Sequence, residues 1–305
     1  MKGLTLSFGL AALACLPMSG MAQDTAPDAA PATTYTFQTV DYPSDTFTQL
    51  LGINNSSVIA GYHGNGGTGH PNKGFTLVLP STFTSENFPG SAQTQVIGIN
   101  RIGITDGFYI DTAGNTHGFV KGTGSTFLTV GFPGTTFNQL LGVNDNFQQA
   151  GYWSDAKGNF HAYIFDRNSK PGVFLVLAIP GVASAQATGV NDAGNLSGFY
   201  IDSAGTNHGF LLVAGTFTKL DFPASTFTQA LGLNNKGQVV GTYTDTSALV
   251  HGFVWTKAAG FQSVDDPSGV GATIVNGIND NGVIVGFFGA CTTGGTTCNG
   301  FVGTP

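Results

Sequence analysis

Charge is scarce in this sequence. Of 305 residues, 9% are Asp, Glu, Lys or Arg, and the formal net charge is −7. Only ten residues are Lys or Arg, so there is no basic stripe to follow a nucleic-acid backbone. Nor is there a Lys/Arg cluster to hold an anionic lipid surface. Glutamate occurs once, at Glu86, so acid–base chemistry would fall on Asp or His. The signatures of a serine elbow, a His-Glu-x-x-His metal site and a phosphate loop are all missing. No sequence feature calls for a cofactor or a resident metal. Long apolar runs are missing too: past residue 22 nothing approaches the roughly 18 residues of a spanning helix.

The start of the chain does carry a short apolar run. Lys2 precedes Leu4 to Leu16, and Gly20-Met21-Ala22 offers a small-x-small cleavage site. Residues 1–22 therefore read as a secretory signal, and the Ala/Pro-rich residues 23–33 as a disordered leader. The expected location is extracellular or periplasmic. Of three cysteines, Cys15 falls within the signal, leaving Cys291 and Cys298. A lone pair in an exported protein reads as a disulfide closing a loop.

The tripeptide Gly-x-Asn occurs six times, beginning at Gly52, Gly98, Gly142, Gly189, Gly232 and Gly277. The spacing is 43 to 47 residues, and nine residues after each glycine stands another. Within a repeat, short apolar–polar alternations are broken by Asn, Gly and Pro, as in Phe217–Asp221, Thr228–Leu233, Gln238–Thr244 and His251–Trp255. Four short antiparallel strands in one such period make a propeller blade. Residues 34–305 thus read as a single all-β domain, a six-bladed β-propeller with Gly-x-Asn on the innermost strand. The chain opens on an outer strand, Tyr35 to Asp41, and ends on a third strand, Gly300 to Val302. The last blade should borrow its outer strand from the N-terminus and close the ring, giving a monomer.

The segments Gly-Ile-Asn-Asp-Asn-Gly-Val-Ile-Val-Gly (277–286) and His-Gly-Phe-Val-Trp (251–255) resemble the HAF repeat of predicted extracellular bacterial proteins. The resemblance covers nearly all of residues 35–303. It implies an extracellular repeat protein and brings no catalytic residues with it. This chain mostly has His-Gly-Phe where the family name implies His-Ala-Phe.

Repeated side chains then have two readings. His117, His161, His208 and His251 share one position, either a ligand site or hydrogen bonds to Asp111, Asp155, Asp202 and Asp245 across a turn. A residue repeated inside a repeated turn favours the second. His63, Tyr109, Trp153, Tyr200, Tyr243 and Phe288 share another, read as filling between blades, with Trp153 the candidate for an exposed stacking ring. Gln49, Gln95, Gln139, Gln186 and Gln229 precede the inner glycine by three and either bond backbone or line the channel. The asymmetric features are two long loops, Gly64–Lys73 with His70 and Gly289–Asn299 with the disulfide. They belong to blades that become neighbours in a closed ring, so His63 and His70 should lie with Cys291 and Cys298 on one asymmetric face as candidate binding residues, with Trp153 of the third repeat a separate candidate. The function expected is a secreted binding or scaffold module for a carbohydrate or cell-surface protein. The alternative is a hydrolase or lyase on an extracellular polysaccharide or lactone, with His63, His70, Asp265 and Asp266 as the only hints.

Overall fold

The computed structural model describes residues 33–305 except 125, 170, 171, 180 and 183; the expected signal and nearly all of the expected leader lie outside the described residues. Six four-stranded antiparallel sheets form a six-bladed propeller. Blade 1 comprises Thr48–Ile53, Val58–His63, Lys73–Val78 and Thr82–Ser85, from the inside outwards. Blades 2 to 5 repeat that order. Blade 6 is built from Thr273–Ile278, Ile284–Phe288 and Asn299–Thr304, and its outer strand is Thr36–Thr39. Phe37 pairs with Gly303 and Gln38 with Val302, so the N-terminal strand closes the ring as expected.

Both repeated glycines exist because something else needs their space. A Cβ on Gly52 would lie 2.4 Å from the Ile97 carbonyl oxygen, and one on Gly98 would lie 2.9 Å from the Gly142 Cα. Six innermost strands thus converge until backbone meets backbone. The second glycine makes room for the third strand: a Cβ on Gly61 would lie 2.3 Å from the Gln49 carbonyl oxygen and 3.0 Å from the Phe75 ring. Phe75, Phe119, Tyr163, Phe210, Phe253 and Phe301 are all fully buried at that place. They are the largest apolar contribution to each blade's core, on the order of 2 kcal/mol apiece by area.

The asparagine of Gly-x-Asn does more than turn the chain. Its side-chain oxygen accepts the N–H groups two and four residues on, as Asn144 does from Asn146 and Gln148. Its amide nitrogen donates to the backbone carbonyl of the next asparagine round the ring. The links run Asn54 to Asn100, then to Asn144, Asn191, Asn234 and Asn279, and back to Asn54, at 2.9 to 3.2 Å. A closed belt of six hydrogen bonds therefore laces the blades at one end of the axis. A second belt lies beside it, in which the N–H of each following residue bonds the next blade's side-chain oxygen. Its five links end at Arg101, which offers no oxygen and instead grips Asp145 through Nε at 3.0 Å.

Candidate functional site

The other end of the axis is open. On each innermost strand the pairing slips by one residue just before the glycine, as between Leu50 and Gly52. The extra residue projects towards the axis. Leu51, Ile97, Leu141, Thr188, Leu231 and Asn276 form the floor of a funnel in this way. Two positions earlier, on the same face of the strand, stand Gln49, Gln95, Gln139, Gln186 and Gln229, with Ile274 in blade 6. All six are half-buried and make the rim. The second strands supply the wall: Tyr62, Phe108, Phe199, Thr242 and Phe287. The enclosed volume is about 310 Å³. The cavity at the asparagine end holds only about 80 Å³, and the glycine ring pinches the axis between them.

Among the described residues, no Asp, Glu, Lys, Arg or His lines this funnel. Its one ionisable group, the Tyr62 phenol, is pushed up by burial and stays neutral. The rim amides differ in how far they are engaged. Gln49 accepts the Tyr62 hydroxyl at 2.6 Å while its –NH₂ donates to Cys298 Sγ at 3.7 Å; Gln139 accepts the Tyr152 hydroxyl at 2.6 Å, which leaves its –NH₂ end to the funnel. Gln229 reaches Asn207 at 3.4 Å. The side chains of Gln95 and Gln186 make no hydrogen bond among the described residues. The hydroxyls of Thr188 and Thr242 are spent on the carbonyls of Ala230 and His251. The site therefore offers amide donors and acceptors above a largely apolar bowl.

The long loops lie on this same face, on either side of the chain crossing into blade 1. Thr46–Thr48 is bonded to Cys298 on one flank, and the Phe47 carbonyl accepts the Gly64 N–H on the other. Cys291 and Cys298 form the disulfide. It packs with Phe47, Leu51, Tyr62 and Phe287, so it backs the funnel wall at blades 6 and 1. His63 and His70 are brought together by Asp45, whose Oδ2 lies 2.7 Å from His63 Nδ1 and 2.9 Å from His70 Nε2. Burial works to raise the Asp45 pKa, but these two hydrogen bonds hold the carboxyl below its ordinary value. Neither histidine lines the funnel.

Trp153 departs from the exposed ring expected of it. One face stacks on Phe132 and the other on His161, both with centroids 4.5 Å apart, and its indole N–H is buried without a partner. The cause is a stack that recurs round the ring: Tyr42 on His63, Phe88 on Tyr109 and Phe222 on Tyr243, at 3.6 to 3.7 Å. Filling between strands is thus the role of this position. The four equivalent histidines bond the aspartates across the turn, at 3.0 Å for Asp111 and Asp155, 3.1 Å for Asp202 and 3.5 Å for Asp245. His208 and His251 also touch Asp221 and Asp265 at 2.9 and 2.7 Å. Asp266 is buried beside Thr273, its N–H donating to the Thr273 hydroxyl.

Two polar groups that motif reading passed over sit in the core. Asp106 is fully buried where sister blades have Ala60, Ala150, Ser197, Val240 and Val285. Burial pushes its carboxyl up to about 8, against the pull of the Gly98 and Gly142 N–H groups. Glu86 replaces a core Val or Leu; it pairs with Lys121 at 3.1 Å and accepts the Thr105 hydroxyl. Misfits to the repeat were the signal for both.

No family model matches this chain, and no curated protein does. Solved propellers match its fold. AofleA from Arthrobotrys oligospora superposes with a TM-score of 0.56 at 11% identity, over 84% of this chain and 83% of its own. The SapL1 lectin in complex with α-methyl fucoside gives 0.52 at 12%, over 80% and 88%. A mutant of the Aleuria aurantia lectin AAL in complex with Fucα1-6GlcNAc gives 0.51 at 13%, over 85% and 96%. At such identities the likeness establishes the fold.

Proposed function

We propose that this chain is a carbohydrate-binding propeller, and that an uncharged sugar residue sits in the axial funnel. The observation that carries the reading is the chemistry of the lining. Glutamine amides donate to and accept from hydroxyls, while Phe, Leu and Ile surfaces receive the C–H faces of a pyranose. A lining built from amides and apolar groups suits a neutral ligand rather than a phosphorylated or carboxylated one. A volume of about 310 Å³ suits one or two sugar units, not a buried polymer. Support comes from the fold, since SapL1 and the Aleuria lectin, solved with fucosides, use the same architecture. The disulfide fits an oxidising, extracytoplasmic setting. On the same face, His63 and His70 would meet further units of a longer glycan.

The test is a neutral-glycan array followed by calorimetry on Gln95→Ala/Gln186→Ala. Both side chains face open space in the funnel, so the ring should stay folded. Losing two hydrogen bonds of roughly 0.5–1.5 kcal/mol each should weaken binding by about 5- to 150-fold. Undiminished affinity in this variant, or no neutral glycan retained by the wild type, would sink the reading.

A further inference from the structure

The rim of the funnel has six equivalent positions, and five are glutamine. The sixth is Ile274, whose strand partner on the wall is Phe287. Behind them, Phe47, Leu51, Cys291 and Cys298 form one apolar cluster with both. A hydroxyl turned towards this sector would lose water and find no partner, whereas a methyl group would gain buried area. The same blade departs from its sisters a second time. On the floor, where four blades place Leu or Ile and a fifth has Thr188 bonded to Ala230, blade 6 has Asn276. The Asn276 side chain makes no hydrogen bond among the described residues. A primary carboxamide beside an apolar wall is matched by a group that is an amide at one end and a methyl at the other.

We infer that the sugar residue taken by the funnel carries an acetamido group, with its methyl on Ile274 and Phe287 and its amide at Asn276. The inference rests on the carbohydrate reading and narrows it. The remaining hydroxyls then fall to the glutamines of blades 2 to 5. A 6-deoxyhexose could set its methyl on Ile274 but would offer Asn276 only a hydroxyl in place of an amide; a plain hexose has no methyl for Ile274. The two departures occur in one blade, so together they favour a single orientation for the ligand.

The experiment is calorimetric titration with three sets of neutral sugars: N-acetylglucosamine and N-acetylgalactosamine; glucose and galactose; fucose and rhamnose. For the wild type, at least one acetamido sugar should bind about ten- to a hundredfold more tightly than its parent hexose, from one buried methyl and one satisfied amide. Ile274→Gln copies the five sister blades, so it should fold, and it should reduce that preference to within about threefold while hexose binding persists. Asn276→Ala should weaken the acetamido sugar more than it weakens a 6-deoxyhexose. Equal wild-type affinities for an acetamido sugar and its hexose would overturn the inference. So would a preference that survives Ile274→Gln, or a 6-deoxyhexose that binds most tightly of all; in each case the carbohydrate reading still stands. Binding of no sugar in any set would remove both together.

Discussion

Removing one asparagine from the axial belt should cost far more than removing an ordinary turn residue. Asn144 is 3% exposed and makes four hydrogen bonds through its side chain. Its amide donates to the Asn191 carbonyl at 2.9 Å and to Gln148 Oε1 at 2.8 Å, and its oxygen accepts from the Asn146 and Gln148 N–H groups. Asn191 O keeps a second donor, Gly194 N–H, so it is not orphaned, and the Asn146 N–H can reach water because that residue is exposed. Counting about 1 kcal/mol for each bond and allowing for these rescues, Asn144→Ala should cost roughly 2–4 kcal/mol. Asn144→Asp separates the two roles. It keeps the acceptor that folds the turn, loses the donor that crosses to blade 4, and sets a carboxylate against a carbonyl. Its stability should recover as the pH falls and the carboxyl can donate. The measurement is equilibrium urea unfolding followed by Trp153 and Trp255 fluorescence, with the slope unchanged between variants. The Asn144 amide bonds the Asn191 backbone carbonyl, which Asn191→Ala keeps, so the double variant Asn144→Ala/Asn191→Ala should lose about the sum of the two single costs. A cost for Asn144→Ala below about 1 kcal/mol would refute the belt as a fastening between blades.

Asp106 predicts a pH profile. Its carboxyl is raised, so the stability gained by holding a proton is complete below the ordinary value of 3.8 and is lost as the pH rises towards about 8. Asp106→Asn should flatten the thermal melting temperature across that range, and an unchanged slope would show that the group does not titrate there. On the acid side, hydrogen bonds from His117 and His161 hold Asp111 and Asp155 well below the usual carboxylate range, so acid unfolding should begin only under the normal Asp value. Trp153→Tyr puts at this position the residue that blades 2, 4 and 5 already carry and removes a buried N–H that has no partner. It should shift stability by less than about 1 kcal/mol and leave glycan affinity unaltered; weakened glycan binding would return Trp153 to the site.

The architecture was legible because the periodic residues are those that the backbone cannot do without. Gly52 and Gly61 recur since any side chain there would collide with a neighbouring strand, and a collision is the same in every blade. The closure by Thr36–Thr39 followed from counting strands at the two chain ends. The histidine–aspartate bonds were legible as one of two options, and the repeat itself favoured the right one. The belt was not legible. Asn and Gly announce a turn whatever else the amide does, and a bond from Asn54 to Asn100 depends on how two blades lean together. Trp153 was misplaced for a related reason. Its size suggested a stacking platform, but Phe132 comes from the preceding crossing, and sequence spacing does not show that the two rings share a stack.

Lining the channel was one of the two readings of the glutamines, and comparison with the histidines shows why repetition alone could not decide it. Equivalent residues in a ring are held apart when they lie towards its edge. His117, His161, His208 and His251 each serve their own turn and cannot act on one small ligand together. Towards the axis the same symmetry has the opposite effect, because every copy approaches a common line. Gln49, Gln95, Gln139, Gln186 and Gln229 are separate in sequence by a full period, yet they bound one cavity of about 310 Å³. Copies of a repeated side chain at the outer edge of a propeller act separately, whereas copies that line an axial cavity can act on one ligand together. Near the axis a single substitution such as Ile274 gains weight, since it alters one wall of a cavity that all six blades share. The side chains that combine in this way are those one and three positions before each inner glycine, on the axial face of the innermost strand. That face is fixed by the pairing slip at Leu51 and its equivalents, so the bulge that closes the strand around the axis also furnishes the site with its floor.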